Sequence, residues 1–306
     1  MDQKKKITGK NLDAKEFYRK NYKKLMLVPV ALFLASVLVI GLHFMNTGKV
    51  VEMDIDFEGG TSATLTTTQA VDPVSLEDEI SKKIGGSVTV RVLKDYNEVQ
   101  TGIVFNAEND IDTSNLRNAI KESLNLEVTD DNYSVRTVGP SMGASFLQTA
   151  QKVMILGFVL TGIVIWYTFK IPEIAIGAVL CGLLNIIAAI AGMNLLGLQL
   201  SSGTLAALLM FLASSIDDNI LIITRILEKK KNAIENAIIA SKTGGMMIFS
   251  SLVVFSVLRF ATTVQLFHDF ATVLIFGLVA DTINTWFQNT GLIIWYVERK
   301  YGKSAL

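Results

Sequence analysis

The chain has 306 residues, 50% of them hydrophobic, and its 28 Lys and Arg balance its 28 Asp and Glu to a net charge of zero. A mean hydropathy of +0.43 excludes an ordinary soluble domain. The single cysteine, Cys181, excludes an intrachain disulfide.

Residues 1–24 form a basic block running from Lys4 to Lys24. Such a block directly before an apolar run marks a cytoplasmic end; nucleic-acid binding is the weaker alternative. The apolar run at 25–46 is longer than a signal-peptide core and lacks a small-residue cleavage site, so it is expected to remain as the first membrane anchor. Residues 47–152 are polar and are expected to fold as one domain. Val51, Met53, Ile55 and Phe57 alternate with acidic residues, the period of a half-buried strand, before Gly59-Gly60 breaks it. A Thr-rich strand follows at 61–67. Asp72 then caps a helix opened by Pro73 and closed by Gly85-Gly86. Val88, Val90 and Val92 mark a third strand, Gly102 to Phe105 a fourth, and Asp112 or Thr113 caps a second helix with Leu116, Ile120 and Leu124 on one face. Tyr133 to Val138 closes the set. Two strand-helix-strand units of this kind predict an α+β ferredoxin-like domain, with one additional strand at its start.

A five-helix membrane bundle is expected over 153–297, with spans at 153–170, 173–194, 200–224, 243–260 and 269–297 and a tail at 298–306. Lys and Arg collect at Lys170, Arg225, Lys229 to Lys231, Lys242, Arg299, Lys300 and Lys303. That bias puts both termini in the cytoplasm and 47–152 outside. The third span carries Gly177, Cys181, Asn185, Ala188 or Ala189, and Gly192 at helical spacing, read as a close-packing stripe. Lys229 to Lys242 reads as an amphipathic linker at the cytoplasmic surface, with Ile234, Ile238 and Ile239 on one side.

The fourth span holds Asp217 and Asp218 inside an uncharged run. An aspartate at mid-bilayer costs about 2.5–3.5 kcal/mol on insertion scales, so it is either buried against partner helices or serves an ion path. The two acids point roughly 100° apart. Asp218 shares its face with Ser214, Ser215 and Arg225, and Asp217 shares its own with Met210 and Thr224. A carboxyl in hydrocarbon that is held close to neutrality can take a proton on one side and release it on the other. On these grounds Asp218 is the expected proton carrier and Asp217 its support; hydrogen-bonded helix glue is the alternative. In the sixth span Asp281, Asn284, Thr285, Gln288 and Asn289 form a polar stripe, either a second proton-handling group at Asp281 or an interface with a partner subunit.

No Walker A lysine, HExxH, GxSxG or metal-spaced Cys/His cluster is present, so no enzymatic activity, cofactor or metal is expected. His43 and His268 are expected at the outer membrane interface.

Asp56-Phe57-Glu58-Gly59-Gly60 after the first span, Val138-Gly139-Pro140 before the second, and Ser215-Ile216-Asp217-Asp218-Asn219 followed by Arg225-Ile226 in the fourth resemble the SecF family of the Sec protein-export machinery. The likeness spans nearly the whole chain. It implies six transmembrane helices forming an RND-like half with an external domain after the first. Carried over by position, Asp218 matches the aspartate of the family's Ser-x-Asn-Asp run, and Asp217 stands in place of its Asn. Asp217 and Asn219 also match the Asp and Asn of the sister SecD run. Thr224 stands where an acidic residue commonly precedes the Arg, Lys242 replaces an Arg near the start of the fifth span, and Asp281 has no obvious counterpart. The resemblance implies a multi-pass cell-membrane subunit that promotes protein export by the proton-motive force. Its implied partners are a SecD-like subunit, a SecYE-type channel, the unfolded polypeptide in transit and membrane lipid. The alternatives are an RND-like exporter of small molecules or lipids and a non-transporting assembly factor.

Overall fold

The computed structural model describes residue 16 and residues 18–94, 99–107, 111–228, 232–262 and 264–302. The basic residues up to Lys15, Lys229 to Lys231 and the tail from 303 onward lie outside the described residues. Among the described residues, 6 helices are long and apolar enough to cross a membrane. The first span runs Tyr18–Thr47 and contains α1 (Leu27–Thr47). The others are α5 (Pro140–Phe169), α6 (Pro172–Leu196), α7 (Ser202–Glu228), α8 (Ala233–Ala261) and a composite sixth span, Gln265–Tyr301. That last span joins α9 (Gln265–Ile283), a π-helical segment (Asn284–Asn289) and α10 (Thr290–Tyr301).

The third, fourth and sixth spans are at least 50% buried over their most apolar stretch, against 11% for the first, second and fifth. The former therefore make the bundle's centre. Small residues let them close up: a Cβ on Gly192 of α6 would come within 2.8 Å of the Phe276 ring, and one on Gly277 within 2.9 Å of Phe211.

Between the first two spans, α2 (Ile55–Glu58) leads into β1 (Gly60–Thr66), α3 (Pro73–Ile84), β2 (Val88–Lys94), β3 (Gln100–Ala107), α4 (Thr113–Leu124) and β4 (Tyr133–Val138). The sheet is antiparallel in order β2-β3-β1-β4, with Ala63 opposite both Phe105 and Val135. This is the ferredoxin-like arrangement. The Asp72 side chain accepts from the Ser75 amide and Asp112 from the Ser114 amide, so both helix starts follow from their caps. Ala63, Leu65, Phe105 and Ile103 pack under Ile80, Leu116 and Ile120 of the helices. Ser62, Thr64, Asn106 and Arg136 line the opposite face, which sits on the rim of the bundle.

The expected strand at 51–57 does not form. Only Met53 makes a bridge, parallel to Leu200 in the loop ahead of α7, and Ile55–Glu58 is a helical turn. Its alternating apolar residues answer to the bundle instead of a sheet face: Val51 packs with Met193 and Leu198, and Phe57 with Ala150 and Leu205. Three helices also differ from the expected spans. The second begins at Pro140, because Gly139 and Pro140 form its start. The fifth absorbs residues 233–242 of the expected surface linker, and Ile234 is fully buried in the core while Ile239 is exposed. The sixth is interrupted by the π segment.

Candidate functional site: a carboxylate cluster between the third, fourth and sixth spans

Asp218 of α7 and Asp281 of α9 are both buried, close enough for their carboxyl groups to interact. Asp281 Oδ1 accepts from Asn185 Nδ2 at 2.5 Å, Ser215 Oγ at 2.7 Å and Thr285 Oγ1 at 2.8 Å. Asn185 Nδ2 also reaches Ser215 Oγ at 2.9 Å, and Cys181 Sγ lies 3.5 Å from Thr285 Oγ1. Asp281 Oδ2 has no hydrogen-bond partner among the described residues. An ionised carboxylate only accepts, so a neighbouring carboxyl can serve that oxygen only when one of the two acids carries a proton.

The π segment completes the cluster. Its extra backbone residue per turn buries Asn284, Thr285 and Asn289 together. Asn284 Nδ2 donates to Asn185 Oδ1 at 2.6 Å, and Asn289 Nδ2 to Asn219 Oδ1 at 2.5 Å. The Thr285 carbonyl accepts from the Thr290 N–H five residues on and also from Thr290 Oγ1 at 2.9 Å.

Asp217 is exposed on the far side of α7, as the 100° offset requires. Arg225 is exposed seven residues beyond Asp218. Lys242 is exposed on α8, two residues before Gly244, where a Cβ would stand 3.9 Å from Asp218 Oδ1. The structure thus joins Asp218 to Asp281 and leaves Asp217 apart. Asn185, read as part of a packing stripe, is at the centre of the site. Its one legible signal was an amide among Gly and Ala in a membrane helix.

The Asp56 motif lies at the sheet-side rim. Asp56 Oδ2 accepts from the backbone N–H of Ser202, the first residue of α7, at 2.9 Å, and Oδ1 pairs with Arg136 of β4 at 2.6 Å. Phe57 is buried, and Gly60 sits at φ +133° where a Cβ would come within 2.5 Å of the Ala107 carbonyl oxygen. Neighbouring Asp54 accepts from Asn106 Nδ2 at 3.1 Å. Burial raises the Asp54 carboxyl above the usual aspartate range, the nearby Asp56 adds to this, and the amide of Ile55 and the guanidiniums of Arg136 and Arg91 oppose it. His268 lies 3.5 Å from Asp269, and His43 4.0 Å from Glu52.

The family model for the protein-export membrane proteins SecD/SecF, C-terminal part, matches residues 119–299. The SecF protein-export membrane protein of Pyrococcus furiosus is 32% identical over 92% of this chain and 93% of its own length. That of Methanocaldococcus jannaschii is 31% identical over 93% and 99%. The chain belongs to the SecD/SecF family. Among solved structures it is similar to SecDF, a translocon-associated membrane protein from Thermus thermophilus, with a TM-score of 0.76 at 21% identity. That match covers 91% of this chain and 38% of the SecDF chain, so it supports the fold of one part of a larger molecule. The SecD/SecF match reaches from the second half of the sheet domain through all five later spans, and so includes Asp218, Asp281 and the π segment.

Proposed function

We propose that the chain is a SecF-like subunit that acts with a SecD-like partner to promote protein export across the cell membrane, coupled to the proton-motive force through Asp218 and Asp281. The observation that carries this reading is the juxtaposition of two buried carboxyl groups, one of which has an oxygen without a hydrogen-bond partner among the described residues. Two carboxylates in one dry site hold a single proton between them when no cation is at hand. The groups facing the pair are Asn185 and Cys181 of α6, Ser215 on α7, Thr285 of the π segment and Gly244 of α8. The charged residues nearest along α7 and α8, Asp217, Arg225 and Lys242, are exposed. Loss of the shared proton sets two like charges against each other. At about 4 Å and an effective dielectric near 20 that repulsion is about 4 kcal/mol, enough to spread two packed helices.

The partner would cover what this chain leaves open. Asp217 faces outward from α7, and the apolar faces of α1, α5 and α8 are exposed. The proposed orientation has both termini cytoplasmic and the sheet domain external, where a translocating polypeptide could meet it. No chemical step is required of the chain, so we read it as a non-enzymatic component that works beside a SecYE-type channel.

The test is gradient-driven secretion of a reporter in cells carrying Asp218→Asn or Asp281→Asn. Each variant keeps shape and hydrogen bonding but cannot titrate. Export should fall to the level seen without a gradient in both, while the complex with the partner still assembles. Full gradient-driven export in Asp218→Asn would overturn the reading.

A further inference from the structure

The two spans that bring the carboxylates together are also the two whose sheet-side ends are held by charged groups of the sheet domain. At the head of α7, Asp56 binds the Ser202 N–H and pairs with Arg136 of β4, while Arg136 Nη2 also lies 3.8 Å from Asp54. At the head of the sixth span, Asp269 of α9 lies 3.8 Å from Arg91 of β2 and accepts from Gln265 Nε2 at 2.6 Å. Arg91 and Asn106 each donate to Gln199 in the α6–α7 loop at 3.2 Å, so β2 and β3 also hold the loop ahead of α7. Between them is a cavity of about 270 Å³, lined by polar residues of the sheet and of the rim. Beneath the sheet face the contact is therefore polar and part empty, whereas beside it Phe57 and Gly59 pack closely on α5 and the sheet's other face is a packed apolar core. β2 and β4 are the two outer strands of the sheet, so the attachments grip it at opposite edges.

We propose that Asp56 and Asp269 are positioning residues that transmit the state of the Asp218–Asp281 pair to the sheet domain. The inference rests on the proton reading of that pair. Each residue ties one edge strand to one of the carboxylate-bearing helices, through Arg136 and Arg91 respectively. When the pair draws α7 and α9 together or lets them part, the edges of a stiff four-stranded sheet are displaced differently, and the domain tilts on the rim. The polar, part-empty side of the seat, under the sheet face, permits such a tilt at little packing cost, while the close-packed contact at Phe57 and Gly59 stays in place.

The experiment measures the tilt directly, in the full complex with its partner in lipid discs. Spin labels are placed on cysteines introduced at Glu122 of α4 and Leu195 of α6, both exposed, while the native Cys181 is buried and stays unlabelled. Electron-electron distances are compared, at an alkaline pH where the unaltered pair loses its shared proton, between that pair and Asp218→Asn, whose uncharged amide has no proton to lose. With the rim intact, Asp218→Asn should shift the distance maximum by about 1–2 Å or more, the scale of helix shifts in switching proteins. With Asp56→Asn, which keeps an acceptor for Ser202 but cannot pair with Arg136, or with Asp269→Asn, the shift should shrink by at least half. Asp269→Arg should abolish it, and Asp269→Arg combined with Arg91→Asp should restore it, a rescue that a general loss of stability would not give.

A shift of unchanged size in Asp56→Asn and Asp269→Asn would overturn the assignment. So would the absence of any shift in Asp218→Asn with the rim intact, even where that variant loses gradient-driven export and the proton reading stands. Conversely, a shift that follows the rim variants while Asp218→Asn exports normally would leave the coupling in place and remove the proton reading.

Discussion

At the scale of single residues, the site depends on how fully one carboxylate oxygen is served. Asp281 Oδ1 takes three donors, and Asn185 supplies one while also accepting from Asn284. Asn185 thus binds three helical segments through one amide. Asn185→Leu removes both bonds and leaves Asn284 without its acceptor, a buried loss of about 1–3 kcal/mol for each unsatisfied group. The expected outcome is a lower thermal midpoint of the detergent-solubilised protein together with weakened gradient-driven export; unchanged values of both would show that the amide is dispensable. Asp217 provides the contrast. It is exposed, so Asp217→Asn should leave stability unchanged and affect export less than Asp218→Asn.

At the scale of elements, the second span and the Asp56 motif are built to touch. A Cβ on Gly143 of α5 would come within 2.9 Å of the backbone of both Phe57 and Gly59, and backbone atoms cannot swing aside as a side chain can. Gly143→Val should destabilise this contact by about 1–3 kcal/mol, the usual cost of overpacking. It should also increase protease cleavage at residues 48–59 in membranes, whereas a cleavage pattern like that of the native chain would argue against a tight seat. The π segment is the other decisive element. It begins three residues after Asp281 and carries three buried polar residues within one irregular turn. Deleting one residue there, Trp286 or Phe287, would take out the extra residue that the wide turn holds and close it to an ordinary helical turn. Asn284, Thr285 and Asn289 would then no longer meet the cluster together, and gradient-driven export should be lost even though the apolar length of the span is nearly unchanged.

At the scale of the whole molecule, three central helices carry the polar groups and three peripheral ones carry apolar faces. Residues such as Leu34, Leu38, Val254 and Val257, each 60–62% exposed in the isolated chain, need lipid or a partner against them. Topology follows from the same layout. Cysteines placed at Glu122 and Lys300, both exposed, should differ in their reaction with a membrane-impermeant thiol reagent added outside intact cells. Glu122→Cys should react and Lys300→Cys should not, and equal labelling would reject an external sheet domain.

The sequence alone determined what is local or compositional. Membrane spans follow from apolar length, the sheet domain's helices from Asp72, Pro73 and Asp112, its strands from alternating Val and Thr, and the burden placed on Asp218 from the rarity of charge in hydrocarbon. Tertiary structure alone decided which residue Asp218 meets. Asp217 adjoins it in the chain, but helix geometry turns the two apart, while Asp281 is brought to it from a helix 63 residues on by the packing of small residues. The same holds for the residues at 51–57, whose alternation records burial against helices that no local pattern could name, and for Asp56, whose partners Arg136 and Ser202 are 80 and 146 residues away. Periodicity reports that a side chain is buried; only the assembled fold supplies the group it is buried against.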